Sequence, residues 1–298
     1  MDYILGEFSA LMDPFMIQFV TIFPYWMIGL TLSAFVTAYA EKAIEKMASR
    51  LGGGRHPILF IILACLLGIA SPLCMYGTVP LIAMLAKKGI PQGILTGFMI
   101  SSILLNPSLL IMTMALGIKL VIVRFVLALL GGLIAGLAVA FFLKKRKVFY
   151  IEGFEEKEEK LERSKIRQFF HSLRRNFEIT APYFLLGITL TILMQRYLPL
   201  DIFTAVLGEN SPYAILVSAS IGIPLYMCGG GTIPLMQAWL QSGMSVGAAC
   251  AFMISGPATK LNNLSAVKMI LGKLNFLLYL AYSMAFSLIS GYAVDLIY

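Results

Sequence analysis

A chain of 298 residues that is 59% hydrophobic and only 13% charged lies outside the range of soluble domains of its size, so most of it belongs in a bilayer. Its net charge of +8 does not mark a nucleic-acid surface, because most of its 23 Lys and Arg fall in two segments, 41–56 and 144–176, that separate long apolar runs. Both histidines, His56 and His171, sit in those basic segments, which excludes a bis-histidine haem within the membrane, and Cys65, Cys74, Cys228 and Cys250 have neither zinc-site nor thioredoxin-type spacing.

In chain order, residues 1–14 carry Asp2, Glu7 and Asp13 and no Lys or Arg, unlike the basic start of a signal peptide. The first apolar run, 15–40, is long enough to cross a hydrocarbon layer of about 30 Å at about 1.5 Å per residue, and is expected to be retained with the N-terminus outside. The basic segment 41–56 is then cytoplasmic. A shorter run, 57–73, leads to an expected break at Cys74 to Gly77, and the piece from there to Lys87-Lys88-Gly89 covers about half a bilayer, as a re-entrant hairpin does. Runs at 91–117 and 119–143 complete the first half. The segment 144–176, KKRK followed by EEKEEKLERSK, reads as a solvated cytoplasmic helix.

The second half repeats the first. PLCMYGTVPLIAMLAKKG at 72–89 returns as PLYMCGGGTIPLMQAWLQSG at 224–243, and each copy is followed by the same tetrapeptide, Phe98-Met99-Ile100-Ser101 and Phe252-Met253-Ile254-Ser255. Runs at 177–198, 211–225, 232–242, 245–271 and 273–297 match those of the first half, with a break expected at Met227 to Gly231. The expected fold is an all-α polytopic membrane protein of two repeats, 1–143 and 177–298. Each has three transmembrane helices and a re-entrant helical hairpin, or five short helices. Either count is odd, so the second repeat enters the membrane inverted. Lys87, Lys88 and Lys273 then face the cytoplasm and Asp201, Glu209 and Asp295 the outside, with Lys119 the exception.

A broken helix inside a membrane frees amides and carbonyls that lipid cannot satisfy, so breaks belong where they line a cavity or are buried in protein. The two hairpin tips are therefore the first candidates, bringing Cys74, Met75 and Tyr76 toward Tyr226, Met227 and Cys228. Thiols and thioethers suit soft ions such as Cu(I) or trivalent metalloids, for which Cys74 and Cys228 are candidate ligands. Cys65 and Cys250, inside uninterrupted runs, read as apolar filler. Downstream of each tetrapeptide the sequence turns polar again, at Ser101, Ser102, Asn106 and Pro107 and at Ser255, Gly256, Pro257, Thr259, Lys260, Asn262 and Asn263, where further breaks are expected. An ammonium at membrane depth costs about 3 kcal/mol on insertion scales, which singles out Lys260 as an anion attractor or proton-coupling group.

At PLCMYGTVP, FMISSILLNP, MCGGGTIP and FMISGPATK the chain resembles the predicted permeases of the ArsP/YraQ group, over about 57–143 and 177–297. The resemblance implies a permease that exports trivalent organoarsenicals or a soft metal, with Cys74 and Cys228 as substrate-facing thiols and Asn106 and Lys260 nearby. Many relatives carry Cys-x-Cys at a tip, where this chain has Tyr76 and Tyr226, and their usual Asn is Lys260 here.

The leading expectation is thus a secondary efflux permease of the cell (inner or plasma) membrane, moving a small soft or thiol-reactive solute through a midplane site. An alternative is uptake of a sulfur-containing anion drawn by Lys260. A third class, an intramembrane enzyme, lacks a visible base or redox pair, and no GxxxxGK[ST] or HExxH occurs. No cofactor is implied. The expected partners are the lipid bilayer and a small-molecule substrate, with protons as candidate coupling ion and a homo-oligomer as candidate assembly; small residues such as Gly132 and Gly136 serve contacts within one chain or between chains equally well.

Overall fold

A computed structural model describes residues 12–17, 19–20, 23–24, 27, 30–31, 34–35, 57–71, 75–143, 146–150, 165–197, 213–226, 232–241 and 243–297. Nearly all of these are helical. Helical residues between 12 and 35 come first, where Phe15, Phe19 and Phe23 stack at four-residue spacing and Leu30 and Ala34 are buried. Then follow α1 (Pro57–Ala70), α2 (Met75–Lys87), α3 (Gln92–Leu104), α4 (Pro107–Thr113) with a 3-10 turn at Met114–Leu116, and α5 (Ile118–Phe142). The second half contains α6 (Lys165–Tyr197), α7 (Ala214–Leu225), α8 (Thr232–Gln241), α9 (Val246–Thr259) and α10 (Leu261–Ile297), the last kinked at Gly272.

The packing is that of a membrane protein. Along α5 the buried residues are mostly small, Ala128, Gly131, Gly132, Ala135 and Gly136, while Ile118, Ile122, Val126, Leu130 and Ile134 point outward. With lipid as solvent, large apolar groups gain nothing by turning inward, and helices associate by letting backbones approach over small residues. Two such contacts are matched between the halves. A Cβ on Gly68 of α1 would stand 2.4 Å from Ser101 Oγ of α3, and one on Gly222 of α7 would stand 2.5 Å from Ser255 Oγ of α9. Positive φ also recurs at matching turns, at Gly89 (80°) and Gly243 (91°), and again at Gly117 (103°) and Gly272 (66°). One apolar core runs through both halves, joining Ile82, Met99 and Leu105 to Ile254, Ala258 and Val267.

One expectation is met in part and two are corrected. The first concerns crossings: among the described residues two helices are long and apolar enough to span, Ile118–Phe142 and Asn263–Ile297, and a third span arises if Gln92–Leu104 and Leu109–Leu116, bent by 44°, count as one. The physical reason is the polar interruption after each repeated tetrapeptide. α3 stops at Leu105 and restarts behind the Asn106 cap with Pro107 in its first turn, and α9 stops at Lys260, whose backbone is extended (ψ 146°). Secondly, Gly77 lies in no break, since α2 starts at Met75 and runs through Gly77 and Pro80, with Gly77 buried. Thirdly, the segment 144–176 is not uniformly solvated. Val148 and Phe149 are buried; Val148 N donates to Gln92 Oε1 (2.7 Å), Asn275 Nδ2 donates to Val148 O (2.9 Å), and Tyr150 N donates to Ile270 O (2.6 Å) beside the Gly272 kink. From Lys165 onward the segment is helical and continuous with α6, where Arg174 and Glu178 form an exposed i,i+4 pair at 2.7 Å.

Candidate functional site

The chemistry gathers around a residue the sequence reading passed over. Arg124 lies on the buried stripe of small residues of α5 and is 3% exposed. Its Nη1 donates to Thr113 Oγ1 (2.6 Å), a hydroxyl whose own proton goes to Leu109 O (2.6 Å). Its Nη2 donates to the Tyr226 hydroxyl (3.0 Å) and to Met253 O (3.5 Å). That carbonyl is available for a reason written in the sequence: Pro257, four residues on within α9, has no N–H to give it. Among the described residues Arg124 Nε has no hydrogen-bond partner and no carboxylate pairs with the guanidinium.

Tyr226 ends α7 and is 3% exposed. Its ring lies so close over α9 that a Cβ on Gly256 would fall 2.0 Å from Tyr226 Cδ2, so glycine is required there for space. Phe252 packs on the ring at 5.7 Å, Trp239 meets Phe252 edge-on at 5.4 Å, and Lys260 Nζ stands 5.8 Å from the Tyr226 ring centroid. One aromatic ring thus carries a buried guanidinium at its hydroxyl and an ammonium over its face. The Tyr226 hydroxyl accepts from Arg124 and gives its own proton to no protein group among the described residues.

The other expected site residues divide. Cys74, Met227 and Cys228 lie outside the described residues, so the meeting of the two hairpin tips does too. Tyr76 and Asn262 are on α2 and α10, with their side chains outside the described residues. Met75 is buried in the common core. Asn106 caps α4, its Oδ1 accepting from Leu109 N (2.9 Å). Lys260 is partly exposed at the break, where its neighbour Asn263 donates through Nδ2 to Pro257 O. Cys65 and Cys250 are buried thiols, and Cys65 Sγ fills the space beside Gly97 and Gly132. Among the described residues no three His, Cys, Asp or Glu side chains group as a metal site.

A signal for Arg124 existed in the sequence. A lone arginine in KLVIVRFVLALL, one turn deeper than Lys119, is as costly at membrane depth as Lys260 and carries the same functional expectation.

Residues 7–296 match the ArsP_1 family, described as a predicted permease. The chain belongs to this family. Among curated relatives, the ArsP_1 chain is 24% identical over 264 residues to UPF0718 protein YcgR of Bacillus subtilis, covering 87% of this chain and 88% of that one. It is 23% identical over 255 residues to a Streptococcus mutans protein whose name describes a subunit of a two-component membrane permease complex, covering 82% and 81%. A UPF0718 protein of Methanocaldococcus jannaschii is 28% identical over 128 residues, which span 42% of this chain and 35% of that protein. No solved structure matches the chain. As an ArsP_1 member built of apolar helices, it is a multi-pass membrane protein of a permease family.

Proposed function

We propose that this protein is a secondary permease that moves a small solute through a site at the bilayer midplane, with its two halves inserted in opposite senses. The observation that carries this reading is the recurrence of helix breaks and positive-φ glycines at matching places in the two halves, two of which, at Tyr226 and Lys260, come together in one buried locus. Irregular backbone at membrane depth serves where it lines a path or a site, and paired broken helices are the mark of transporters built from repeats. The basic segments 41–56 and 144–176 support a cytoplasmic placement of both and an N-terminus outside.

Two cargo classes follow. Export of a trivalent organoarsenical or soft metal, the family expectation, rests on Cys74 and Cys228. Uptake of a sulfur-containing anion rests on Lys260, and the geometry favours it, because what surrounds Tyr226 is cationic. A third reading, an intramembrane enzyme, would need a general base or redox pair.

The test is retention of a trivalent organoarsenical, beside uptake of labelled thiosulfate, in cells lacking their own pumps for either. Thiosulfate uptake that is lost in Lys260→Met and kept in Cys74→Ser and Cys228→Ser establishes the anion reading. Arsenical resistance lost with either thiol establishes export. Neither activity from well-expressed protein overturns both.

A further inference from the structure

We infer that Arg124 and Tyr226 form a binding site for a small oxyanion, an assignment that rests on the permease reading and names its substrate class. A guanidinium at membrane depth carries a cost of about 3 kcal/mol even on the mildest scale, and such groups pair with opposite charges or with backbone carbonyls, of which only the first neutralises them. Among the described residues Arg124 has only neutral partners: a hydroxyl, a phenol, a carbonyl and the Met253 thioether at 3.9 Å. These four groups hold its charge in place and none of them neutralises it.

The unused donors define what would neutralise it. Among the described residues Arg124 Nε–H and the Tyr226 O–H are both unspent, and they belong to groups already joined by a 3.0 Å hydrogen bond. One guanidinium N–H beside one phenol O–H suits the oxygens of a carboxylate, sulfur oxyanion or phosphate, whereas a free cation is repelled and a neutral thiol-seeking solute gains nothing from the charge. Lys260, over the opposite part of the same ring, adds a second positive charge from the other break. Arrival of the anion requires the Tyr226 ring to give way, and that ring is attached at the C-terminal end of α7. Binding therefore acts on the end of α7 and couples occupancy to its movement.

The experiment uses the full-length protein in detergent and labelled thiosulfate as probe, with sulfate and phosphate as competitors, read by scintillation proximity. Wild type binds saturably. Arg124→Gln weakens binding roughly 10- to 100-fold, the size of a lost charge-assisted hydrogen bond, and Arg124→Lys falls between. If Arg124→Gln is not monodisperse, Tyr226→Phe decides, since it keeps the ring and removes one donor; weaker binding supports the site. Wild-type affinity in a monodisperse Arg124→Gln, or in Tyr226→Phe where the first variant does not fold, overturns the inference. So does wild-type protein that binds none of the three anions. If that same protein transports a trivalent organoarsenical, the permease reading stands while the oxyanion site falls.

Discussion

Arg124 and Tyr226 are 102 residues apart in sequence and meet through a 3.0 Å hydrogen bond inside the bundle, one from each half of the chain. The contact ties α5 to the end of α7. Tyr226→Phe removes the acceptor while keeping the ring that Phe252 and Lys260 pack against. A buried hydrogen bond to a charged group contributes about 1.5–3 kcal/mol, so the thermal midpoint should fall detectably by fluorescence-monitored melting, with the protein still folded.

Gly256 and Gly222 test two close approaches. In Gly256→Ala the new methyl overlaps the Tyr226 ring and stands 2.9 Å from Tyr226 Cβ, so the ring is driven off Arg124 and the end of α7 must shift; transport is lost along with stability. In Gly222→Ala it meets Ser255 Oγ at 2.5 Å and the Gly256 backbone at 2.9 Å, so helices must part, at a cost of about 1–3 kcal/mol. The matching Gly68→Ala should behave like Gly222→Ala. Melting curves beside flux measurements on the three variants check these outcomes.

The strap at 146–150 makes a third prediction. Asn275 Nδ2 donates to both Lys147 O (3.1 Å) and Val148 O (2.9 Å), and the ring of Tyr150 leaves no room for a Cβ on Gly272. Asn275→Ala should release the strap and raise hydrogen exchange there, leaving α5 protected. Gly272→Ala adds the left-handed strain of about 1–2 kcal/mol and should perturb the same segment.

How much of this was legible in the sequence varies with the kind of signal. Apolar runs and the repeated tetrapeptide give the helical class, and the polar interruptions at Asn106-Pro107 and at Lys260 coincide with the ends of α3 and α9. Hydropathy adds up residues and does not register a bend, so 91–117 reads as one apolar run, and it is the polar residues around Asn106, which caps a new helix inside it, that mark the break. Gly77 looked like a hinge because glycine permits a turn, but in α2 it is helical and buried. Val148 and Phe149, two apolar residues in a basic segment, were outweighed there by their charged neighbours. Lys260 stood out beside a visible break, whereas Arg124 sits within a regular helix, and its partnership with Tyr226 is a product of the tertiary fold.

The central claim is that anionic solute crosses the membrane past Tyr226 under the charges of Lys260 and Arg124. It is met most directly by counterflow of labelled thiosulfate in proteoliposomes of purified protein, with protein-free liposomes and Lys260→Met beside wild type. The account predicts saturable exchange that drops at least about tenfold in Lys260→Met, the loss expected when an ion-binding charge is removed. Exchange no faster than in protein-free liposomes, or equal in wild type and Lys260→Met, contradicts it.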